Sequence, residues 1–130
     1  MGYLDTRDLQ ARLEELESER EDFQNTVNDA EEGEEKQTAQ EELDVWEGDN
    51  LEELEALQAL KDEVPEWDDG NTLVPGEDWI DYVQELLIDT GDLPRNIPWY
   101  IEIDWDRTAE NIALDYGTVY YLGTTYYYRY

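Results

Sequence analysis

Carboxylates recur along this chain at the spacing of one helix face: Glu14, Glu17 and Glu21, then Glu52 and Glu55 around Glu53, then Asp81, Glu85 and Asp89. Residues three and four apart on a helix are surface neighbours, with Cβ atoms about 5–6 Å apart. Such rows could serve as acid–base pairs, as metal cages or as fixed negative charge. Acid–base work needs a singular pair, and 37 Asp and Glu in 130 residues make no pair singular. Glycoside hydrolysis would need two carboxyl groups at a set separation in a sugar-binding cleft. Trp99, Trp105 and the tyrosines could line one, but the chain is short for it. The segment Asp104-Trp105-Asp106-Arg107-Thr108-Ala109, with Asp115 at the twelfth position, begins like a calcium loop. Ala109 stands where the sharp turn needs glycine, and Asp115 is shorter than the usual bidentate glutamate. Asp104 reads better as the N-cap of a helix. The absence of Cys and His removes thiolate nucleophiles, imidazole catalysis and the common zinc sites. The expectation is a protein with no catalytic residue, no cofactor and no dedicated metal site.

Fixed charge remains. The formal charge is -29 at pH 7, with only 8 Lys and Arg. Self-repulsion on that scale lowers stability, so the charge calls for a use. Duplex DNA carries about one charge per ~1.7 Å of axis, so 29 charges match roughly 50 Å, or about 14–15 base pairs. A helix of about 25 residues reaches about 38 Å. Negative charge repels nucleic acid and anionic membranes, and no apolar run approaches the roughly 20 residues of a membrane span. The partners expected are basic surfaces, above all the groove of a basic DNA-binding protein or nuclease complex. Whether a second copy also binds is left open. A halophile's protein would be acidic too, for solubility; scarce Lys fits that.

The elements that must carry these charges differ along the chain. Residues 1–64 hold 23 of the acids, and residues 65–130 hold 14 along with most of the Trp and Tyr. Leu9, Leu13, Leu16, Arg20, Phe23, Val27 and Ala30 form a narrow stripe on a helix opening at Thr6-Arg7-Asp8, which Gly33 ends. Ala39, Leu43 and Trp46 mark a second helix. Gly48-Asp49-Asn50 is expected to interrupt it, with Asn50 and Glu53 starting a third helix that runs to Val64 and stops at Pro65. An acidic helical hairpin over 1–64 follows, with Arg20 at a seam position. Residues 65–76 read as a linker around a short extended piece, Thr72-Leu73-Val74. Glu77–Thr90 is an amphipathic helix with Trp79, Ile80, Val83, Leu86 and Leu87 inward, and Gly91 at its stop. A short helix runs from the Asp104 cap to Ala113. Thr118–Tyr121 and Thr125–Tyr130 flank a Leu122-Gly123-Thr124 turn as a β-hairpin. The fold class is α+β: an acidic helical hairpin, then a small helix-plus-hairpin domain over 77–130. Alternation puts Tyr126, Tyr128 and Tyr130 on one hairpin face, with Tyr127 and Arg129 on the other. One face then packs under the helices, or it offers aromatic contacts to a partner or a second copy.

The run Ile97-Pro98-Trp99-Tyr100-Ile101-Glu102-Ile103-Asp104-Trp105-Asp106-Arg107-Thr108-Ala109-Glu110-Asn111-Ile112, followed by Leu114-Asp115-Tyr116 and the aromatic end, resembles the ArdA-type antirestriction proteins. The helix Trp79–Leu87 also fits this kind of phage and mobile-element protein. The resemblance spans roughly residues 70–130, and the chain is shorter than a full ArdA protein. It implies an inhibitor made by a phage or plasmid, acting in the cytoplasm of an infected bacterium. It would occupy the DNA-binding groove of a host defence complex, a restriction–modification enzyme or a CRISPR effector with its similar basic channel. The expected phosphate surrogates are Glu14, Glu17, Glu21, Glu52, Glu53, Glu55, Asp81, Glu85 and Asp89. The alternative is an assembly module that binds through Tyr126, Tyr128 and Tyr130.

Overall fold

A computed structural model describes residues 2–129, so Tyr130 lies outside the described residues. Asp5 caps the first helix by accepting from the Arg7 amide at 2.8 Å, and α1 runs Thr6–Asp29. Gly33, at φ +111° where L side chains are strained, sets the turn into α2, Glu34–Glu63. The two helices close on a seam whose buried members include Leu13 and Leu16 of α1 and Trp46, Leu54 and Leu57 of α2. Val27 of α1 meets Ala39 and Leu43 of α2 nearer the hairpin tip.

The break expected at Gly48-Asp49-Asn50 is absent, and α2 is one helix of 30 residues. Asn50 does not cap a new helix. It is half-buried in the seam, and its Nδ2 donates to the Trp46 carbonyl one turn back at 3.0 Å. Trp46, Asn50, Leu54 and Leu57 therefore continue one stripe in steps of four, four and three, and Gly48 is carried on the exposed side. An exposed glycine inside a helix costs only about 1 kcal/mol, which a seam of buried leucines outweighs.

Four short strands form one antiparallel sheet in the order β1-β2-β4-β3: β1 Leu4–Asp5, β2 Thr72–Pro75, β3 Tyr116–Tyr121 and β4 Thr124–Arg129. β3 and β4 meet at Leu122-Gly123, both at positive φ, the two-residue geometry that suits the twist of a hairpin. The stretch expected as a linker thus supplies β2, an inner strand, and its Leu73 and Val74 are buried.

Alternation along the strands sends side chains to both faces, and each face carries a packed core, with Thr118 and Tyr120 of β3 left exposed. Leu73, Val119 and Tyr121, with Tyr126 and Tyr128, pack with the α1–α2 seam. Val74, Tyr116 and Tyr127 face the other way, towards α3 (Trp79–Asp89) and α4 (Trp105–Ala113). On that side Trp79 stacks on Tyr127 at 4.3 Å between ring centroids, and its Nε1 donates to the Ala109 carbonyl at 3.0 Å. α3 ends at Asp89 with Gly91 at φ +84°, and the Asp104 Oδ1 accepts from the Arg107 amide at the start of α4, as the sequence predicts.

A buried polar clasp joins the arm to the sheet. The fully buried Thr6 hydroxyl donates to the Trp67 carbonyl and accepts from the Asn71 amide, both at 2.8 Å. Asn71 Nδ2 reaches the Arg129 carbonyl at 3.0 Å, and Trp67 Nε1 donates to Gln10 at 2.7 Å.

Two glycines give opposite predictions. A methyl at Gly48 would meet no atom within 4 Å. Gly48→Ala is expected to stabilise the fold by about 0.5–1 kcal/mol, measured as a raised urea midpoint with unchanged slope. Gly117 lies opposite Tyr128 in the β3–β4 register, and a methyl there would overlap the Tyr128 ring and hydroxyl. Because that ring is packed against the first core, Gly117→Ala is expected to destabilise by about 1–3 kcal/mol in the same measurement.

Candidate partner-binding surface

Every acid on α1 is exposed. On α2 only Glu47 and Glu53 are drawn in from solvent, and each is held by an arginine of α1. Arg12 grips Glu53 with two bonds, Nε to Oε2 at 2.7 Å and Nη2 to Oε1 at 3.1 Å, and also reaches Glu15 at 2.9 Å. Arg20 reaches Glu47 at 3.2 Å. Lys36 pairs locally with Glu32. Three of the arm's cations are thus engaged within the hairpin.

The expected surrogates divide accordingly. Glu14, Glu17, Glu21, Glu52 and Glu55 are exposed along the two helices, spaced for one face each. Glu53 differs: its carboxylate is committed to Arg12, so it belongs to the frame of the surface. Asp81, Glu85 and Asp89 are exposed on α3, which lies on the opposite face of the sheet from the arm. The acidic set is therefore two surfaces. The longer is the α1–α2 arm.

The hairpin tyrosines take the structural role. Tyr126 and Tyr128 are half-buried against the arm, and Tyr127 is stacked under α3. The expected aromatic contact face on Tyr126 and Tyr128 is thus turned inward. The solvent-facing aromatics lie elsewhere: Tyr120 on β3, and the loop after α3, where Trp99 is 91 % exposed and Tyr100 68 %. Neither ring forms a sugar-binding cleft with Trp105, which packs into the α3–α4 core.

Burial and charge shift a few groups. The Arg12 hydrogen bonds hold the Glu53 carboxyl below its ordinary 4.5, against an opposing push from burial. Burial, then the neighbouring Tyr82, pushes the Tyr116 phenol up to about 12. Burial, followed by the charge of Glu53, raises Tyr121. These are structural groups, and none is paired with a nucleophile or a cleft. Among the described residues no group of three or more acids is placed to hold a metal ion, and no helix is long and apolar enough to cross a membrane.

The two cross-helix arginine pairs are what reading by sequence missed. Arg20 at a seam position looks like a flaw in an apolar stripe. It becomes a link only when Glu47 is placed on the facing helix, which the supposed break at Gly48 obscures.

The Glu53 shift fixes a pH dependence. A depressed carboxyl contributes stability that is present above its unfolded value and lost as pH falls through the lower folded value. Glu53→Gln is expected to lower the melting temperature by an equal amount at pH 7 and pH 5.5. The gap to the parent chain should close as pH falls below 4.5, because protonated Glu53 then resembles Gln. The half-exposed setting limits the effect to about 1 kcal/mol.

Comparison with protein-family models, with curated proteins and with solved structures finds no match to this chain.

Proposed function

We propose that this protein is a DNA mimic: the acidic α1–α2 arm enters a basic groove that otherwise holds duplex DNA. One observation carries the reading. The acids of α1 and α2 face solvent except the two that bind Arg12 and Arg20, so two of the arm's five cations are engaged across the seam and acids far outnumber the cations left on its outer surface. Residues 1–64 carry 23 acids less five cations, a net -18. α2 is 30 residues, about 45 Å at ~1.5 Å per residue. A duplex of that length carries about 26 charges. The arm therefore presents about two-thirds of the linear charge of DNA on a rod of comparable reach.

The resemblance of residues 70–130 to ArdA-type antirestriction proteins suggests the setting. The protein would come from a phage or mobile element and act in the cytoplasm of its host. The target class is a defence complex, either a restriction–modification enzyme or a CRISPR effector. Inhibition is by occupancy and needs no catalytic residue. The alternative, assembly through the hairpin tyrosines, draws less support because Tyr126 and Tyr128 are engaged in the core.

The test uses bacterial proteins held on duplex-DNA resin at low salt. The chain is expected to displace a subset of them, with displacement falling steeply as salt rises because releasing condensed ions into a more concentrated solution gains less entropy. A variant with Glu14, Glu17, Glu21, Glu52 and Glu55 all changed to Gln should displace at least tenfold less. Equal displacement by parent and variant, or none by either, would overturn the mimicry.

A further inference from the structure

Midway along the arm the anionic surface is interrupted by an apolar recess of about 460 Å³. Its floor is Phe23 of α1 with Val45 and Trp46 of α2, and its rim carries Glu41, Glu42 and Asp49. Phe23 and Trp46 lie 6.3 Å apart between ring centroids, and Trp46 is buried beneath. Val45 is 65 % exposed, although the opposite side of the same helix turn is seam. A β-branched residue is a weak helix former, so an exposed Val contributes nothing to α2 that a polar residue would not. A pure phosphate mimic needs no such recess.

We propose that the recess receives an arginine side chain of the basic partner, with its stem on Val45 and Phe23 and its guanidinium among Glu41, Glu42 and Asp49. This inference rests on the mimicry reading and names what the partner must present. The alternatives fail on charge and hydration. A wholly apolar group would cover three carboxylates without pairing them, which is costly. An anion is repelled. A lysine ammonium is compact and strongly hydrated, whereas a guanidinium is planar, weakly hydrated and stacks on aromatic rings. The recess would therefore add an arginine-selective anchor to an otherwise uniform electrostatic surface.

The experiment titrates the full chain with N-acetyl-arginine amide, N-acetyl-lysine amide and spermine, following the Val45 methyl and Trp46 indole signals by NMR. The arginine amide should shift both signals saturably, and the lysine amide should bind about two- to five-fold more weakly. Val45→Asp, followed through the Trp46 indole alone, separates this site from general attraction, since it adds a negative charge while removing the exposed part of the apolar floor. A purely electrostatic surface would bind the arginine amide more tightly in that variant; the recess predicts weaker binding and loss of the preference over lysine. Val45→Ala, which adds no charge, should weaken it in the same direction. Unchanged or tighter binding by Val45→Asp, or spermine shifts of equal size at the same signals, would overturn the proposal. So would a self-associated dimer that Val45→Asp abolishes. The glutamine variants on DNA resin report separately: if they lose displacement while Val45→Asp retains it, the recess fails and mimicry stands. If Val45→Asp alone loses it, mimicry fails.

Discussion

Two polyanionic helices lie side by side only because the seam between them outweighs their repulsion. Like charges about 10 Å apart in water repel by about 0.4 kcal/mol before salt screening, and the Debye length at physiological salt is about 8 Å. Burying one leucine contributes about 1.5–3 kcal/mol. Each of Leu13, Leu16, Leu54 and Leu57 therefore offsets several exposed like pairs across the hairpin. The two arginine links work in the same direction and add register. Arg12 to Glu53 and Arg20 to Glu47 can form only when α1 and α2 are aligned as they are. Their individual contributions are small, as partly exposed pairs usually are. Each of these guanidinium groups is also neutralised by its carboxylate, so the residues that link the helices add no unpaired positive charge to the arm.

The arm is anchored as well as paired. Its base packs on one face of the sheet through Leu73, Val119 and Tyr121, while α3 and α4 cover the other face. A four-stranded sheet with two very short strands would be marginal alone. Covered on both sides, it becomes a rigid seat. The Thr6 clasp closes the arrangement, since the start of α1 and the chain after α2 are joined through one fully buried hydroxyl. Under the proposed mimicry, an arm held at its base in this way would meet a groove with its carboxylates already arranged, so less ordering entropy would be lost on binding.

Much of this was legible in the residues, for identifiable reasons. The leucine stripes, the Asp104 cap, the Gly91 stop and the hairpin around Gly123 are local signals, and local physics decides them. Gly48 misled because glycine reads as a breaker on its own, whereas the phase of Trp46, Asn50 and Leu54 across it never changes. The stretch 65–76 misled because turn residues surround β2, and four residues cannot announce that they are an inner strand. Its partners, Leu4 and Tyr127, are distant in sequence. The acidic rows were visible as rows. That Glu53 belongs to the frame while Glu52 and Glu55 belong to the surface depends on a guanidinium 41 residues away.

That division bears on how such a surface can evolve. Outward carboxylates that touch nothing can be added, lost or moved along α1 and α2 at little cost to the fold, because surface substitutions away from packed features are nearly neutral. The buried residues of the seam have no such freedom, and the two arginine links have less of it than the outward acids. The charge that the proposed function would use for recognition and the charge used for stability thus sit on different sides of the same helices. The recess at Val45 lies at the border of the two, since its floor shares Trp46 and Phe23 with the seam; under the proposed mimicry only its outer residues, Val45 and the acids around it, could be tuned to one basic partner without disturbing the rod.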